Sequence, residues 1–183
     1  MRIHDGGGTS RTVKVDQYNK LQTHGVSVTD GHFINETSGK FWSIAFQDVE
    51  VFAATQYVAY IKNTSTTEEY EISDVRLSTT YSGRICLEKV TGTASDFDTT
   101  IVPVSHNLGK NPGISLTTVS GSGIQGLSSG GILFFLQCDE KEKQTHLEVK
   151  DKIIIQPGQG FAVKMVPSSG AITGTISIFA ESI

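Results

Sequence analysis

From Phe41 onward, short runs of β-branched and aromatic residues recur between clusters of Gly, Asn, Asp and Ser. That rhythm predicts an all-β chain folded as an antiparallel β-sandwich. The runs place strands at Phe41–Phe46, Gln56–Asn63, Tyr70–Thr79, Arg84–Val90, Thr100–Val104, Gly113–Val119, Ile132–Cys138, His146–Val149, Lys152–Ile155, Phe161–Val166 and Thr173–Ala180. In Gln56–Asn63 the period is two, with Val58 and Tyr60 on one face and Tyr57, Ala59 and Ile61 on the other. Both faces are largely apolar, so this strand is expected to be central and covered on both sides. In Tyr70–Thr79 the apolar phase changes between Tyr70/Ile72 and Val75/Leu77, which predicts a bulge near Ser73-Asp74. The last run sets Ile176, Ile178 and Ala180 against Thr175, Ser177 and Phe179 and is expected to close a sheet.

Two connections carry explicit signals. In Gln156-Pro157-Gly158 the proline presets φ at the second position of a turn and the glycine accepts positive φ at the third, a type II signature expected to make a hairpin. Asp139–Gln144 contains good helix formers, but the apolar Leu147 and Val149 that follow are spaced by two. A solvated hairpin loop is expected there instead of a helix. Residues 1–33 differ from the rest, with Gly6-Gly7-Gly8 and a thin scatter of apolar groups. They read as an extended N-terminal arm, and residues 34–183 as the sandwich domain.

Composition narrows the function classes. A chain of 183 residues suits one domain with a full core. Net charge is -4, and basic residues do not cluster with aromatics, which argues against nucleic acid as a partner. No apolar run approaches the roughly 20 residues that span a bilayer, and Met1–Gly8 lacks the apolar core of a signal peptide, so no membrane partner is expected. The chain is expected to be made soluble in a reducing compartment, with Cys86 and Cys138 as buried free thiols. The sequons at Asn35 and Asn63 then read as chance matches.

Candidate chemistry is sparse. Gly126-Leu127-Ser128-Ser129-Gly130 fits the G-x-S-x-G nucleophile elbow, but that elbow needs a strand before it and a helix after it. Here a Gly/Ser loop is expected before it and the strand Ile132–Cys138 after it. Metal ligation lacks any paired histidine or cysteine spacing, and Asp96-Phe97-Asp98 reads as a solvated turn. Gly6-Gly7-Gly8-Thr9-Ser10 has no lysine where a phosphate loop carries one. The aromatics Phe41, Trp42, Phe134, Phe135 and Phe161 read as core, with sugar stacking on Trp42 as the functional variant. The chain is therefore expected to be no enzyme and to need no cofactor or metal.

One stretch goes beyond pattern: Val15-Asp16-Gln17-Tyr18-Asn19-Lys20-Leu21, leading through Val26-Ser27-Val28-Thr29 to His32-Phe33-Ile34-Asn35. It resembles the N-terminal signature of a family of tailed-bacteriophage capsid decoration, or cement, proteins. The later order of Tyr60-Ile61-Lys62-Asn63, Val102–Gly109, Ile155–Gly158 and Ile176–Ala180 is similar too. The sequence departs from the family in His32-Phe33, where a glycine-tyrosine pair is more usual, and in its acidic loop at Asp139–Glu142. The resemblance implies a jelly-roll, TNF-like sandwich that assembles as a homotrimer, with the major capsid protein as partner. It implies a place on the exterior of the phage head, after synthesis in the bacterial host cytoplasm. It also implies that Val15, Asp16, Asn19, Lys20 and Leu21 contact the capsid or a neighbouring subunit. The sparse apolar residues Val13, Val26 and Val28 join them, since an arm that cannot bury itself gains order on a partner. The alternative is a phage tail-fibre or receptor-binding head that meets a host-surface glycan through Gly121–Gly131 or Asp139–Gln144.

Overall fold

The computed structural model describes residues 41–51, 54–79, 83–107, 109, 113–138, 144–168 and 172–182. The expected arm, residues 1–33, lies outside them. Among the described residues, eleven strands form in chain order: β1 (Phe41–Val51), β2 (Gln56–Asn63), β3 (Tyr70–Thr79), β4 (Gly83–Ser95), β5 (Thr99–Thr100), β6 (Val104–Ser105), β7 (Leu116–Ser120), β8 (Gln125–Cys138), β9 (Gln144–Ile155), β10 (Gly160–Pro167) and β11 (Ile172–Ser182). They make one sheet of order β6-β1-β11-β3-β9 and another of order β5-β7-β2-β10-β4-β8. Every pairing is antiparallel.

Eight strands, β1-β11-β3-β9 facing β2-β10-β4-β8, have the strand order of a jelly roll. Successive strands of that set alternate between sheets, except β4 and β8, which pair with each other. Between these two the chain makes an excursion that adds β7 and β5 beside β2 and β6 beside β1. One flank of the sandwich is thus built from residues 99–105, and the other from the edge strands β8 and β9.

Alternation places the core between the sheets. Trp42, Ile44 and Phe46 of β1 and Ile176, Ile178 and Ala180 of β11 face Ile61 of β2, Leu87 of β4 and Val163 of β10. A second, smaller cluster lies on the outer face of the six-stranded sheet, where Tyr60, Val90, Val119 and Ala162 are covered by Ile124. The chain from Gly121 to Ile124 is held over that face by hydrogen bonds from Gly121 N to Val58 O (3.1 Å) and Ile124 N to Tyr57 O (2.9 Å).

The bulge expected near Ser73-Asp74 is present: against β11, Ile72 pairs with Ala180 and Asp74 with Phe179, so Ser73 is the extra residue, and Tyr70, Ile72 and Val75 are all buried. The central position of β2 is likewise found. Its faces differ from expectation, because a second register shift opposite Val163/Lys164 breaks the alternation. Val58 therefore joins Ala59 and Ile61 in the main core, while Tyr57 stands with Tyr60 against the outer cluster.

The type II turn is also found, with Gly158 at φ 77° and Gln159 N bonded to Gln156 O at 3.0 Å. It is not a hairpin, because β9 and β10 belong to different sheets. The expected hairpin at Asp139–Gln144 fails for the same reason: β8 and β9 lie in different sheets, and residues 139–143 lie outside the described residues. Turn chemistry dictates that a chain reverses and leaves open which layer receives it. Thr100–Val104 is split by Pro103 into β5 and β6, one in each sheet. His146–Val149 and Lys152–Ile155 are one strand, Gly121–Gly131 is largely strand, and β11 lies in the middle of its sheet.

Asn63 locks the end where β2, β9 and β10 converge. It is fully buried, and its amide donates to Glu68 O at 2.7 Å and Ile155 O at 2.9 Å while its Oδ1 accepts from Ser65 N at 2.8 Å. Its backbone also pairs with Gly158 and Gln159. The bond to Ile155 ties one sheet to the other, and a glycan on this buried amide is incompatible with the fold. Close approach here also requires Gly160, since a Cβ would stand 2.7 Å from Ile61 O.

Candidate functional site

All the arm residues singled out in the sequence, Val13, Val15, Asp16, Asn19, Lys20, Leu21, Val26 and Val28, lie outside the described residues. The other candidates have definite places. Trp42 is 0% exposed and packs edge-on against Tyr70 at 5.9 Å between centroids, so it offers no platform to a sugar. Ser128 lies inside β8 opposite Thr91, a flat strand position without the strained turn of a nucleophile elbow. Cys86 is a buried free thiol whose pKa burial pushes up, which leaves it protonated and unreactive. At the Asp96–Asp98 turn, Asp98 Oδ2 accepts from Ser122 N at 3.0 Å, and Asp96 takes φ 53°. Among the described residues, no three His, Cys, Asp or Glu side chains gather as metal ligands.

A polar cluster stands on the outer face of the six-stranded sheet. Glu88 of β4 accepts from Tyr57 Oη at 2.7 Å and from Lys164 Nζ at 2.9 Å, while Lys164 also lies 4.9 Å from the Tyr57 ring. Burial pushes the Glu88 carboxyl up, but hydrogen bonds from Tyr57, Lys164 and Ser129 outweigh it and hold the pKa below the ordinary value. Burial pulls Lys164 down, and its bond to Glu88 outweighs that in turn, so its pKa is raised. Tyr57 is raised by burial and by the carboxylate it donates to. Each charge is stabilised by its partner, and the trio pins β2, β4 and β10 together. The carboxylate that these bonds hold ionised is a weakened base.

The outer face of the five-stranded sheet carries a ladder of rings. His106 meets Phe41 edge-on at 4.8 Å and Phe179 at 5.7 Å, and the Arg76 guanidinium lies 4.7 Å over the Phe179 ring. Arg76 Nε also pairs with Asp74 at 2.9 Å. Burial lowers the His106 pKa.

Apolar groups on the two flanks stand apart from these satisfied clusters. On the β8–β9 flank, Ile132 is 57% and Phe135 66% exposed, with Leu133 and Ile154 also bare. Ile132 pairs with Glu88 and Phe135 with Cys86, which puts both on the outer face, while Leu133 is the extra residue of a bulge. Leu133, Phe134, Ile154 and Phe161 line a cleft of about 590 Å³ that opens between β8 and β9. On the opposite flank, Val102 is 75% and Val104 56% exposed. Sequence reasoning missed these groups by reading Ile132–Cys138 as core. The signal lay in Pro103, which is confined to sheet edges, and in the unbroken run Ile132–Leu136.

No family model matches the chain, and no curated protein matches it. Among solved structures the chain is similar to a protein of the Israeli acute paralysis virus full particle heated to 63 degrees. The match has 9% identity and a TM-score of 0.24, and covers 99% of this chain and 82% of that one. A score that low carries no argument about fold or function.

Proposed function

We propose that this protein is a structural virion component: a homotrimeric decoration protein that sits on a bacteriophage head and reinforces it. What carries the reading is the arm signature Val15-Asp16-Gln17-Tyr18-Asn19-Lys20-Leu21, joined to a jelly-roll domain whose bare apolar groups lie at its flanks. Jelly rolls also serve as lectins and cupins, so the fold alone does not choose among functions. In this reading the trimer presents three arms, and weak contacts from each add through high effective concentration. The major capsid protein is the partner, and Val13, Val15, Asp16, Asn19, Lys20, Leu21, Val26 and Val28 make the contacts.

The test is co-sedimentation of the full chain with purified heads that lack it. The full chain is expected to pellet with the heads, and a chain without residues 1–33 is expected to stay trimeric and remain in the supernatant. An arm-less trimer that still decorates heads overturns the role given to the arm. A full chain that ignores heads overturns the proposal.

A further inference from the structure

The cleft between β8 and β9 holds a lysine on the core face of the sandwich. β4 pairs with β10 without interruption from Gly83 to Val90, so alternation along this stretch is strict. Ile85 and Leu87 point into the main core, and Lys89 takes the next inward position, across from Phe161. A lysine there can lay its methylene stem along apolar side chains and keep its ammonium in water only where the neighbouring position is open. Gly131 of β8 provides the opening: it pairs with Lys89, and a Cβ built on it would meet nothing within 4 Å. Lys89 is accordingly exposed although it stands on the core face.

The walls of the cleft grade from apolar to polar along the strands. Phe134, paired with Leu87, and Ile153 lie at the apolar end, and Ile155 and Phe161 continue the wall. Gln156 and Gln159 lie at the other end, where the chain crosses from β9 to β10, with Lys89 at the level of Phe161. Lys89 is the one charged group among the described lining residues. The volume of about 590 Å³ is that of a small-ligand site, as is a mostly apolar lining with a few convergent polar groups. One ammonium and two carboxamides supply donors to an anion, and the remaining walls suit an alkyl chain. A saccharide would set its hydroxyls against Phe134, Ile153 and Ile155, whose side chains offer no hydrogen bond.

We propose that this cleft binds an amphiphile with a single anionic head, its alkyl chain lying between the two sheets and its head at Lys89, Gln156 and Gln159. A fatty acid and an alkyl phosphate share that chemistry. The site goes beyond the head-binding role and does not depend on it, since a chain that ignores phage heads can still hold the ligand.

The experiment is isothermal titration calorimetry of the full chain with octanoate, decanoate and dodecanoate, each below its critical micelle concentration. Affinity is expected to rise with chain length, by at most about fourfold for each methylene buried. Dodecyl phosphate is expected to bind as well, and the tighter of the two twelve-carbon anions assigns the head. Dodecyltrimethylammonium, with the same chain and the opposite charge, is expected to bind about tenfold more weakly, the order of one charge-assisted hydrogen bond. Lys89→Met is expected to erase that preference and keep the dependence on chain length. Leu133→Asp, on the exposed wall, is expected to abolish dodecanoate binding. Both residues are exposed, so each variant is expected to keep the circular dichroism spectrum of the parent. A preference for anions that survives Lys89→Met overturns the place given to the head. Affinity independent of chain length, or unchanged in Leu133→Asp, overturns the cleft as the site. A full chain that binds none of these amphiphiles overturns the proposal.

Discussion

Phe161 and Phe135 are the same residue type in the same sheet, two strands apart, and they meet opposite fates. Phe161 is 2% exposed in the main core, whereas Phe135 is 66% exposed on the outer face of an edge strand. The local sequences would suggest the reverse. Phe135 sits in the run Ile132-Leu133-Phe134-Phe135-Leu136, while Phe161 follows Gln156-Pro157-Gly158-Gln159-Gly160. What separates them is first the sheet face each side chain takes, inward for Phe161 and outward for Phe135, and then strand position. β10 has β2 and β4 on its two sides and the other sheet beneath it, while among the described residues β8 has only β4 beside it. Apolar content sets the need for cover, and topology decides whether the cover comes from the same chain.

The largest expected effects test that contrast directly. Phe161→Ala is expected to lower unfolding stability by about 3–5 kcal/mol, from lost burial plus the cavity left behind. Phe135→Ala is expected to change it by no more than about 0.5 kcal/mol, as for an exposed position without special contacts. Both are measured by urea denaturation at one protein concentration, because mass action makes the stability of any associating protein depend on concentration. Equal losses at the two positions break the comparison.

Asn63→Ala comes next. It removes two donated bonds and one accepted bond at the point where the sheets are tied. Leaving Ile155 O without its buried partner is expected to cost roughly 1–3 kcal/mol. Amide exchange at Ser65 and Gly158 is the sharper readout, because their N–H groups bond to Asn63. Faster exchange there, with the rest of β10 protected, locates the loss at the lock.

The strands were legible because alternation is a local property. β1 and β11 read directly, since each buries every second side chain against a full opposing sheet. The phase change in β3 was visible as well, because a bulge shifts which residues are apolar. Layer assignment was not legible. The reversals at Gln156–Gln159 and between β8 and β9 carry the chain between sheets, and no residue type encodes that. Nor was the flank built from residues 99–105, which exists because an excursion between two paired strands lands on both sheets. The exposure of Ile132 and Phe135 was hidden for the same reason, since both look like core until the neighbours of β8 are known.

The Glu88–Lys164 pair tests whether the outer face is held by its polar trio or only by its apolar cluster. Glu88 has its pKa held below 4.5, so its stabilisation is full above that value and fades as pH falls through the folded value. Lys164 has its pKa raised above 10.5, so its share is full below that value and fades as pH rises through the folded one. Lys164→Met leaves a carboxylate that is 3% exposed without its cation. Because Lys164 itself is 25% exposed, solvent screening reduces the expected loss at pH 7 to about 1–2 kcal/mol. Combining it with Glu88→Gln is expected to recover part of that loss and flatten the acid limb of the stability curve. A double variant no better than the single one assigns the face to Tyr60, Val90 and Ala162 alone.

The smallest effect belongs to His106, and it separates the two outer faces. Desolvation lowers its pKa below 6.5, so the fold prefers the neutral ring between Phe41 and Phe179. Stability from this preference is full above pH 6.5 and is lost as pH falls through the folded value. Because the ring is exposed to solvent, the melting temperature is expected to drop only slightly between pH 7.5 and 5.5. His106→Gln removes the titrating group and is expected to flatten that slope while leaving the Glu88 acid limb in place at lower pH. A slope that persists in the variant places the titration on another group, and the ring ladder is then held by Arg76 over Phe179 without a contribution from histidine.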